Sequence, residues 1–221
     1  MKSPCILLII VCTLSLTGCA STKQADSDSS LGKAQQTLDS LYQHYSAKDS
    51  YLLRESYPFD EQHKVTYLAS EDQANTPNQF SYLWPYSGTF SAVNALFEAT
   101  HDKKYQKLLD KRVLPGLEEY FDIQRTPNAY SSYIQTAPTS DRFYDDNVWL
   151  GIDFTDIYQI TQEKRYLDKA QLIWKFIESG TDSLLGGGIY WCEQKKESKN
   201  TCSNAPGSVL ALKLFKATND S

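Results

Sequence analysis

Two consecutive aspartates, Asp145 and Asp146, are the residues of this sequence best suited to acid–base chemistry. They stand where a long polar loop gives way to the apolar spacing of a helix. Cleavage of a glycosidic bond needs one ionised carboxyl group at the sugar C1 and another that holds a proton for the leaving oxygen. Neighbouring side chains at a helix start point in different directions, so these carboxyl groups could lie about 5 Å apart, the spacing of a retaining mechanism.

The same pair also has a purely structural interpretation. The free N–H groups and the dipole of a helix N-terminus favour acidic residues, so Asp145 or Asp146 could be an N-cap and its neighbour a first-turn acid. The flanking Tyr144 and Trp149 could form a wall on which a sugar stacks, although Trp149 fits a core equally well. Both interpretations stay open at this point.

Further candidate ligands follow the three glycines at positions 186–188. Tyr190 and Trp191 could form a sugar platform, because glycine lets the backbone approach closely, or they could plug the loop end against the core. Asn200 and Asn204 could hydrogen-bond sugar hydroxyls, and Asn204 could equally cap the last helix.

The spacing of apolar residues predicts an all-α protein with six helices. They are expected from about Leu31 toward Tyr57, around Phe90–Phe97, and over Tyr105–Tyr120, Trp149–Ile160, Tyr166–Ile177 and Val209–Phe215. Pro115 should kink the third helix or begin a new turn. The segments 60–87 and 125–142 are expected to be loops, the first with a short extended piece around 65–68. Asp153 and Asp156, three residues apart, are expected to face solvent, with an extension of the acidic site as the alternative.

An internal echo relates two of the predicted helix junctions. Ala99–Tyr105 (ATHDKKY) resembles Ile160–Tyr166 (ITQEKRY) at an offset of 61 residues. In both copies a helix ends, a short charged turn follows, and a tyrosine opens the next helix. This alternation predicts stacked helical hairpins, whose long loops gather at the end where a site would be built.

The N-terminus resembles an export signal. Lys2 precedes a short apolar run that closes on Leu16-Thr17-Gly18-Cys19, and this tetrapeptide resembles a bacterial lipobox. We therefore expect a signal peptide over 1–19, lipid on Cys19, a disordered tether over 20–30 and one domain over 31–221. Ala20 resembles an outer-membrane sorting signal, so the expected location is the bacterial outer membrane. A plain signal peptide or an uncleaved anchor is the alternative.

Two cysteines, Cys192 and Cys202, remain outside the predicted signal peptide. In an exported protein such a pair favours a disulfide, which would stabilise the fold by about 3 kcal/mol, with two free thiols as the alternative. The histidines share no short spacing, so no metal site is expected, and no nucleotide-binding loop or other cofactor motif is present.

The net charge and the aromatic content indicate which kinds of ligand the protein can bind. The net charge is −5 with a pI of about 5.2, which argues against a nucleic-acid binder. The 15 Tyr, 4 Trp and 9 Phe fit a sugar-binding surface or an aromatic-rich helical core.

Three segments together resemble glycoside hydrolase family 76, the α-1,6-mannanases. They are Asp145–Trp149 (DDNVW), Gly186–Trp191 (GGGIYW) with Lys199–Pro206 (KNTCSNAP), and Trp84–Gly88 (WPYSG). The resemblance covers roughly Leu31 to Phe215. It implies an (α/α)6 barrel and retaining endo-hydrolysis of α-mannan, with Asp145 as nucleophile and Asp146 as acid/base. It also implies that Trp84 and Asn147 bind substrate.

The sequence departs from this family in its number of hairpins. Six helices make three hairpins, whereas the family's barrel closes with six, so apolar inner faces should be exposed. A split or truncated gene, a homodimer that completes the ring, and an unstable remnant are the explanations considered. The functional alternatives are an active mannanase and an inactive relative that binds mannan or has lost function. An unsaturated glucuronyl hydrolase would fit the fold but not Lys199–Pro206.

Overall fold

The computed structural model of the chain describes residues 26–62, 64 and 78–219. The predicted signal peptide, the predicted lipidation site at Cys19, the predicted tether up to residue 25 and the predicted extended piece at 65–68 lie outside these residues. No helix in the described part is long and apolar enough to cross a bilayer.

The described residues form seven α-helical segments, two of which join into one helix, so that six helices result, as the sequence predicts. Their bounds are α1 Ser30–Tyr45, α2 Leu83–Thr100, α3 Lys103–Leu108, α4 Leu114–Glu118, α5 Tyr144–Thr161, α6 Lys164–Ser179 and α7 Thr201–Thr218, with β1 Phe121–Asp122, β2 Ala129–Tyr130 and a 3-10 turn Leu184–Gly186. A π-helical segment, Leu109–Val113, joins α3 and α4 into one helix. Pro115 follows this segment, so the helix changes its winding there instead of breaking. Strands β1 and β2 form an antiparallel pair.

Two helix boundaries differ from the predictions. Helix α1 ends at Tyr45 rather than near Tyr57, because Asp49 takes a left-handed φ of 52° and the chain returns with Ala47 N–H donating to Leu52 O at 3.1 Å. Helix α2 begins at Leu83, so the preceding loop is shorter than expected. The tether ends in a turn over 26–29, where Ser29 caps α1.

The 61-residue echo is a structural repeat. Thr100 and Thr161 end their helices, and the next residues, His101 and Gln162, take left-handed φ values of 53° and 60°. The following helices then begin two residues further on, with Asp102 and Glu163 as N-caps, at Lys103 and Lys164.

Equivalent tyrosines of the repeat attach each hairpin to the helix before it. Tyr105 and Tyr166 are both buried. The Tyr105 hydroxyl accepts a hydrogen bond from Gln35 Nε2 on α1 at 2.9 Å. The Tyr166 hydroxyl donates to Asp110 Oδ1, in the π-helical segment, at 2.7 Å. Helix α1, the helix formed by α3 and α4, and helix α6 are therefore linked one to the next.

Helix α5 lies at the centre of the described domain and packs against α2, α6 and α7. Gly151 allows α7 to approach closely, since a Cβ there would lie 2.6 Å from Leu210 Cδ2. The predicted exposure of apolar inner faces is found on α7, where Val209, Leu212 and Phe215 are 44%, 61% and 47% exposed. Their spacing of three places them along one side of the helix.

Candidate active site

Asp145 and Asp146 lie in the first turn of α5. The helix begins at Tyr144, and its N-cap is Phe143, whose side chain makes no capping hydrogen bond. The N-cap interpretation of the aspartate pair is therefore wrong, and both residues are first-turn acids. The helix start is held by backbone contacts to the glycine-loop segment, since Tyr144 N–H donates to Trp191 O at 2.9 Å.

Both aspartates open into one cavity of about 170 Å³. The residues that line it are Tyr82, Trp84, Ser132, Phe143, Asp145, Asp146 and Trp191. Four of these seven are predicted site residues: the two aspartates, Trp84 and Trp191. The cavity thus joins the start of α5 to the start of α2 and the segment after the three glycines, which the sequence motifs only suggested.

Burial separates the protonation behaviour of the two carboxyl groups. Asp146 is only 8% exposed, and burial, with added repulsion from Asp145, raises its pKa well above the ordinary value. Burial also raises the pKa of Asp145, but hydrogen bonds from the Cys202 thiol, the first-turn backbone and the Trp191 indole oppose this. Asp146 therefore holds its proton more firmly, and Asp145 ionises first.

Three predicted sugar ligands lie away from the cavity. Tyr144 is buried and its ring stacks on Phe176 with centroids 4.6 Å apart. Tyr190 is also buried, with its hydroxyl 3.1 Å from each carboxyl oxygen of Asp182. Trp149 is 47% exposed but does not line the cavity. The structure thus makes Tyr144 and Tyr190 part of the core that supports the site.

The predicted asparagine ligands also hold the backbone. Asn147 is fully buried, and its amide bonds the backbone of Tyr130 and Phe143. Asn204 accepts from Ile189 N–H at 2.7 Å and donates to the carbonyl oxygens of Ile189 and Asn200, each at 2.8 Å. Asn200, rather than Asn204, is the N-cap of α7.

The close packing around Asn204 explains one glycine of the preceding loop. Gly188 has a φ of 86°, and a Cβ at this position would lie 2.4 Å from Asn204 Oδ1. Only glycine combines this backbone conformation with such a close approach. Asn204 therefore joins the glycine loop to α7, and both protons of its amide nitrogen are used within the protein.

The predicted disulfide between Cys192 and Cys202 is not formed in the structure. Both cysteines are free. Cys192 is buried, next to the backbone bridge that joins it to Phe143, whereas Cys202 is exposed in the first turn of α7 and donates to Asp145. The two thiols lie in different environments, and the prediction of a disulfide between them is wrong.

Arg142 is a supporting residue that the sequence did not indicate. Its side chain is buried, and its Nε donates to Glu193 Oε2 at 2.7 Å while Nη1 donates to Pro127 O at 2.9 Å. A second ion pair, of 2.5 Å, joins Arg125 to the buried Asp122 in the β1–β2 hairpin. Arg142 thus fixes the segment before α5 against the β1–β2 loop and the segment after the glycines.

Asp153 is buried, contrary to the expectation that it faces solvent. Its Oδ2 accepts from Ser91 Oγ at 2.7 Å. Burial raises its pKa from 3.8 to about 7, against the Ser91 hydrogen bond, while Asp156 adds to the rise and Lys213 opposes it.

Three residues that line the cavity were not predicted from the sequence: Tyr82, Ser132 and Phe143. Phe143 lies two residues before Asp145, and Tyr82 lies two residues before Trp84, so closeness to the recognised motifs was the available signal. Ser132 stands in a loop rich in Ser, Thr and Pro and carries no such signal.

Comparison with known proteins places these features in context. A family model described as Glycosyl hydrolase family 76 matches residues 56–221. The structure is similar to the family 76 glycoside hydrolase (mannosidase) Bt3792 from Bacteroides thetaiotaomicron VPI-5482, at 30% identity and a TM-score of 0.71, over 86% of this chain and 49% of that one. No curated protein matches the chain significantly.

Two further structures are similar. A family 76 glycoside hydrolase from a bovine Bacteroides thetaiotaomicron strain is 29% identical, with a TM-score of 0.68, over 87% of this chain and 39% of that one. An inactive variant of the α-1,6-mannanase of Salegentibacter sp. HEL1_6, in complex with α-1,6-mannotriose, is 23% identical, with a TM-score of 0.60, over 86% and 46%. The chain thus spans less than half the length of these three structures.

Proposed function

Because the chain belongs to glycoside hydrolase family 76, we propose that it is a retaining endo-α-1,6-mannanase whose reaction is carried by Asp145 and Asp146. Its helical hairpins are of the (α/α)6-barrel type found in that family. They span about half of such a barrel, so the activity rests on the site that this half contains.

The observation that carries the proposal is the opening of two carboxyl groups into one cavity, where burial raises the pKa of Asp146 well above its ordinary value and hydrogen bonds oppose the rise for Asp145. Asp145, which accepts hydrogen bonds that favour the carboxylate, would attack the sugar C1. Asp146, whose pKa burial raises, would give its proton to the leaving oxygen and later take one from water. Retention follows from the two successive displacements at C1.

The substrate class is supported by the cavity walls and by the relatives. Trp84, which is 57% exposed, and Trp191 offer aromatic faces beside the carboxyl groups, and sugar rings stack on such faces. One similar structure is described as a mannosidase, and another holds α-1,6-mannotriose. We therefore assign α-mannan and its oligosaccharides as the substrate.

The test is incubation with unbranched α-1,6-mannan, with released oligosaccharides separated by chromatography and the first-formed anomer read by proton NMR. Initial release of the α-anomer supports retention, whereas the β-anomer shows inversion. Asp145→Asn should abolish release, and Asp168→Asn, on the exposed side of α6, should leave it unchanged.

A second candidate function is mannan binding without hydrolysis. It is favoured by the exposed apolar side of α7, formed by Val209, Leu212 and Phe215, which the described residues leave uncovered, and by the chain's span of only 49% of a similar mannosidase structure. A homodimer or a separately encoded second half could cover this side. Calorimetric binding of α-1,6-mannotriose without product release would establish this function, and light scattering would give the oligomeric state.

For the N-terminal segment we propose export and lipid attachment at Cys19 in the bacterial outer membrane, on the strength of the Leu16–Cys19 tetrapeptide. Growth with an alkyne-bearing fatty acid should label the wild-type protein and leave Cys19→Ala unlabelled. Labelling of both proteins, or of neither, would contradict the assignment.

A further inference from the structure

Ser132 is held rigidly in the wall of the cavity. Its N–H donates to Asp141 O at 2.8 Å, and its carbonyl oxygen accepts from Leu83 N–H at 2.9 Å. The residue is therefore clamped between the segment before α5 and the first residue of α2. Because the backbone is held on both sides, Oγ can move only by rotation about the Cα–Cβ bond.

The hydroxyl of Ser132 has no partner in the protein although the residue is only 2% exposed. Among the described residues, two of the buried side-chain atoms without a hydrogen-bond partner belong to residues that line the cavity: Ser132 Oγ and Asp145 Oδ1. A buried polar atom without a partner costs free energy, and such atoms are uncommon in native proteins. Both residues line the cavity into which the reacting carboxyl groups open.

A sugar hydroxyl can satisfy both kinds of atom, because it donates one hydrogen bond and accepts others. A carboxylate oxygen such as Asp145 Oδ1 requires a donor, whereas a serine hydroxyl can donate or accept. The aromatic residues of the cavity, Trp84 and Trp191, provide faces for the ring but cannot replace these contacts. A polar ligand with hydroxyl groups fits this arrangement, and a purely apolar ligand does not.

We propose that Ser132 is a substrate-binding residue that hydrogen-bonds a hydroxyl of the mannose unit lying over Asp145 and Asp146. The inference rests on the proposed function, since it assumes that this cavity receives the sugar. It adds a polar, orientation-setting contact from the loop after β2 to a site otherwise formed by helix starts and aromatic rings. Such a contact discriminates between sugars that carry the hydroxyl and sugars that lack it.

The experiment measures binding of thio-linked α-1,6-mannotriose, which cannot be hydrolysed in the usual way, by isothermal titration calorimetry. Ser132→Ala should raise Kd about tenfold, the effect of one lost hydrogen bond. Ser81→Ala is the matched control, since Ser81 is also a buried serine with an unpartnered hydroxyl but does not line the cavity. Its Kd should stay unchanged.

Two further readouts separate binding from a structural role. The ligand-free Ser132→Ala protein should be at least as resistant to urea as wild type, because the substitution removes an unpartnered hydroxyl. A panel of thio-linked trisaccharides, each lacking one hydroxyl of the ring over the carboxyl groups, should contain one member that wild type and Ser132→Ala bind equally. That member identifies the hydroxyl in contact.

The outcomes distinguish the inference from the function on which it rests. If wild type binds thio-mannotriose and Ser132→Ala binds it equally well, the inference fails while the proposed function stands. If wild type binds no mannoside, the proposed function fails and the inference with it. A weakened Ser132→Ala together with loss of urea resistance would point to a structural role instead and overturn the assignment.

Discussion

Asn147 and Tyr130 exchange a pair of hydrogen bonds: Tyr130 N–H donates to Asn147 Oδ1, and Asn147 Nδ2 donates to Tyr130 O, each at 2.9 Å. Asn147 directly follows Asp146 on α5, and Tyr130 ends β2 two residues before Ser132. This one side chain therefore ties the start of α5, which carries the reacting carboxyl groups, to the strand that leads to Ser132 in the cavity wall.

Asn147→Leu should lower the free energy of unfolding by about 3 kcal/mol, because it leaves buried backbone groups of Tyr130 without partners. The measurement is urea unfolding followed by circular dichroism. Gln159→Leu, at an exposed position of the same helix, should change stability by less than about 0.5 kcal/mol. Equal effects of the two substitutions would contradict the role assigned to Asn147.

Arg142→Met should destabilise the protein by about 3–5 kcal/mol, because it leaves Glu193 without its cationic partner and the buried Asp122 with Arg125 alone. The exposed Lys164–Asp168 pair provides the comparison, and Lys164→Met should cost less than about 1 kcal/mol. Chemical denaturation of both variants in parallel is the measurement. A small effect at Arg142 would show that the segments around the site are held by other contacts.

Asp153→Asn should flatten part of the pH dependence of stability. The pKa of Asp153 rises from 3.8 to about 7 on folding, so between those values the folded state holds a proton that the unfolded state releases. The contribution of Asp153 to the free energy of unfolding is therefore complete below about pH 4, decreases as the pH rises and is lost above about pH 7. The difference in unfolding free energy between Asp153→Asn and wild type should grow in favour of the variant over that range. A constant difference would refute the raised pKa.

Substitutions of Asp145 and Asp146 should have different effects on substrates with good and poor leaving groups, and this difference distinguishes the nucleophile from the acid/base. Asp145→Asn should lose activity by at least about 10³-fold on both mannan and an aryl α-mannoside with an acidic leaving group, because both need the nucleophile. Asp146→Asn should lose about 10²–10⁴-fold on mannan and much less on the aryl mannoside, which needs no proton. Steady-state kinetics on the two substrates measures this, and the reverse pattern would exchange the assignments.

Cys202 should react with a maleimide in the folded protein, and Cys192 should react only after unfolding. Cys202 is exposed, whereas burial raises the pKa of the Cys192 thiol to about 11. Peptide mass spectrometry identifies which cysteine carries the label. If neither cysteine reacts until a reductant is added, the two form a disulfide, contrary to the structure.

Much of the helical framework follows from the sequence. The apolar spacing over Tyr166–Ile177 corresponds closely to α6, and the echo at Tyr105 and Tyr166 marked both tight turns, since these features depend on local pattern. The end of α1 was misplaced because the turn at Asp49 is set by backbone pairing across the loop.

Site residues whose side chains themselves suggest chemistry could be predicted from the sequence. Residues whose role depends on where the fold places them could not. The carboxyl pair and Trp191 were recognised from their own side chains and motifs. The buried state of Arg142 and Asp153 was missed because charged residues are usually exposed, and tertiary packing alone reverses this. Asn147 and Asn204 were predicted to bind sugar because the sequence does not distinguish an amide that hydrogen-bonds the backbone from one that hydrogen-bonds a ligand.

The repeated attachment through Tyr105 and Tyr166 bears on how such an architecture changes length during evolution. Each hairpin carries its own joint to the helix before it, Tyr105 to Gln35 and Tyr166 to Asp110. Gain or loss of one whole module of about sixty residues therefore requires only the contact at its boundary to be remade, as in arrays whose units contact mainly their neighbours. Duplications and deletions in this family should therefore add or remove one whole helical hairpin at a time.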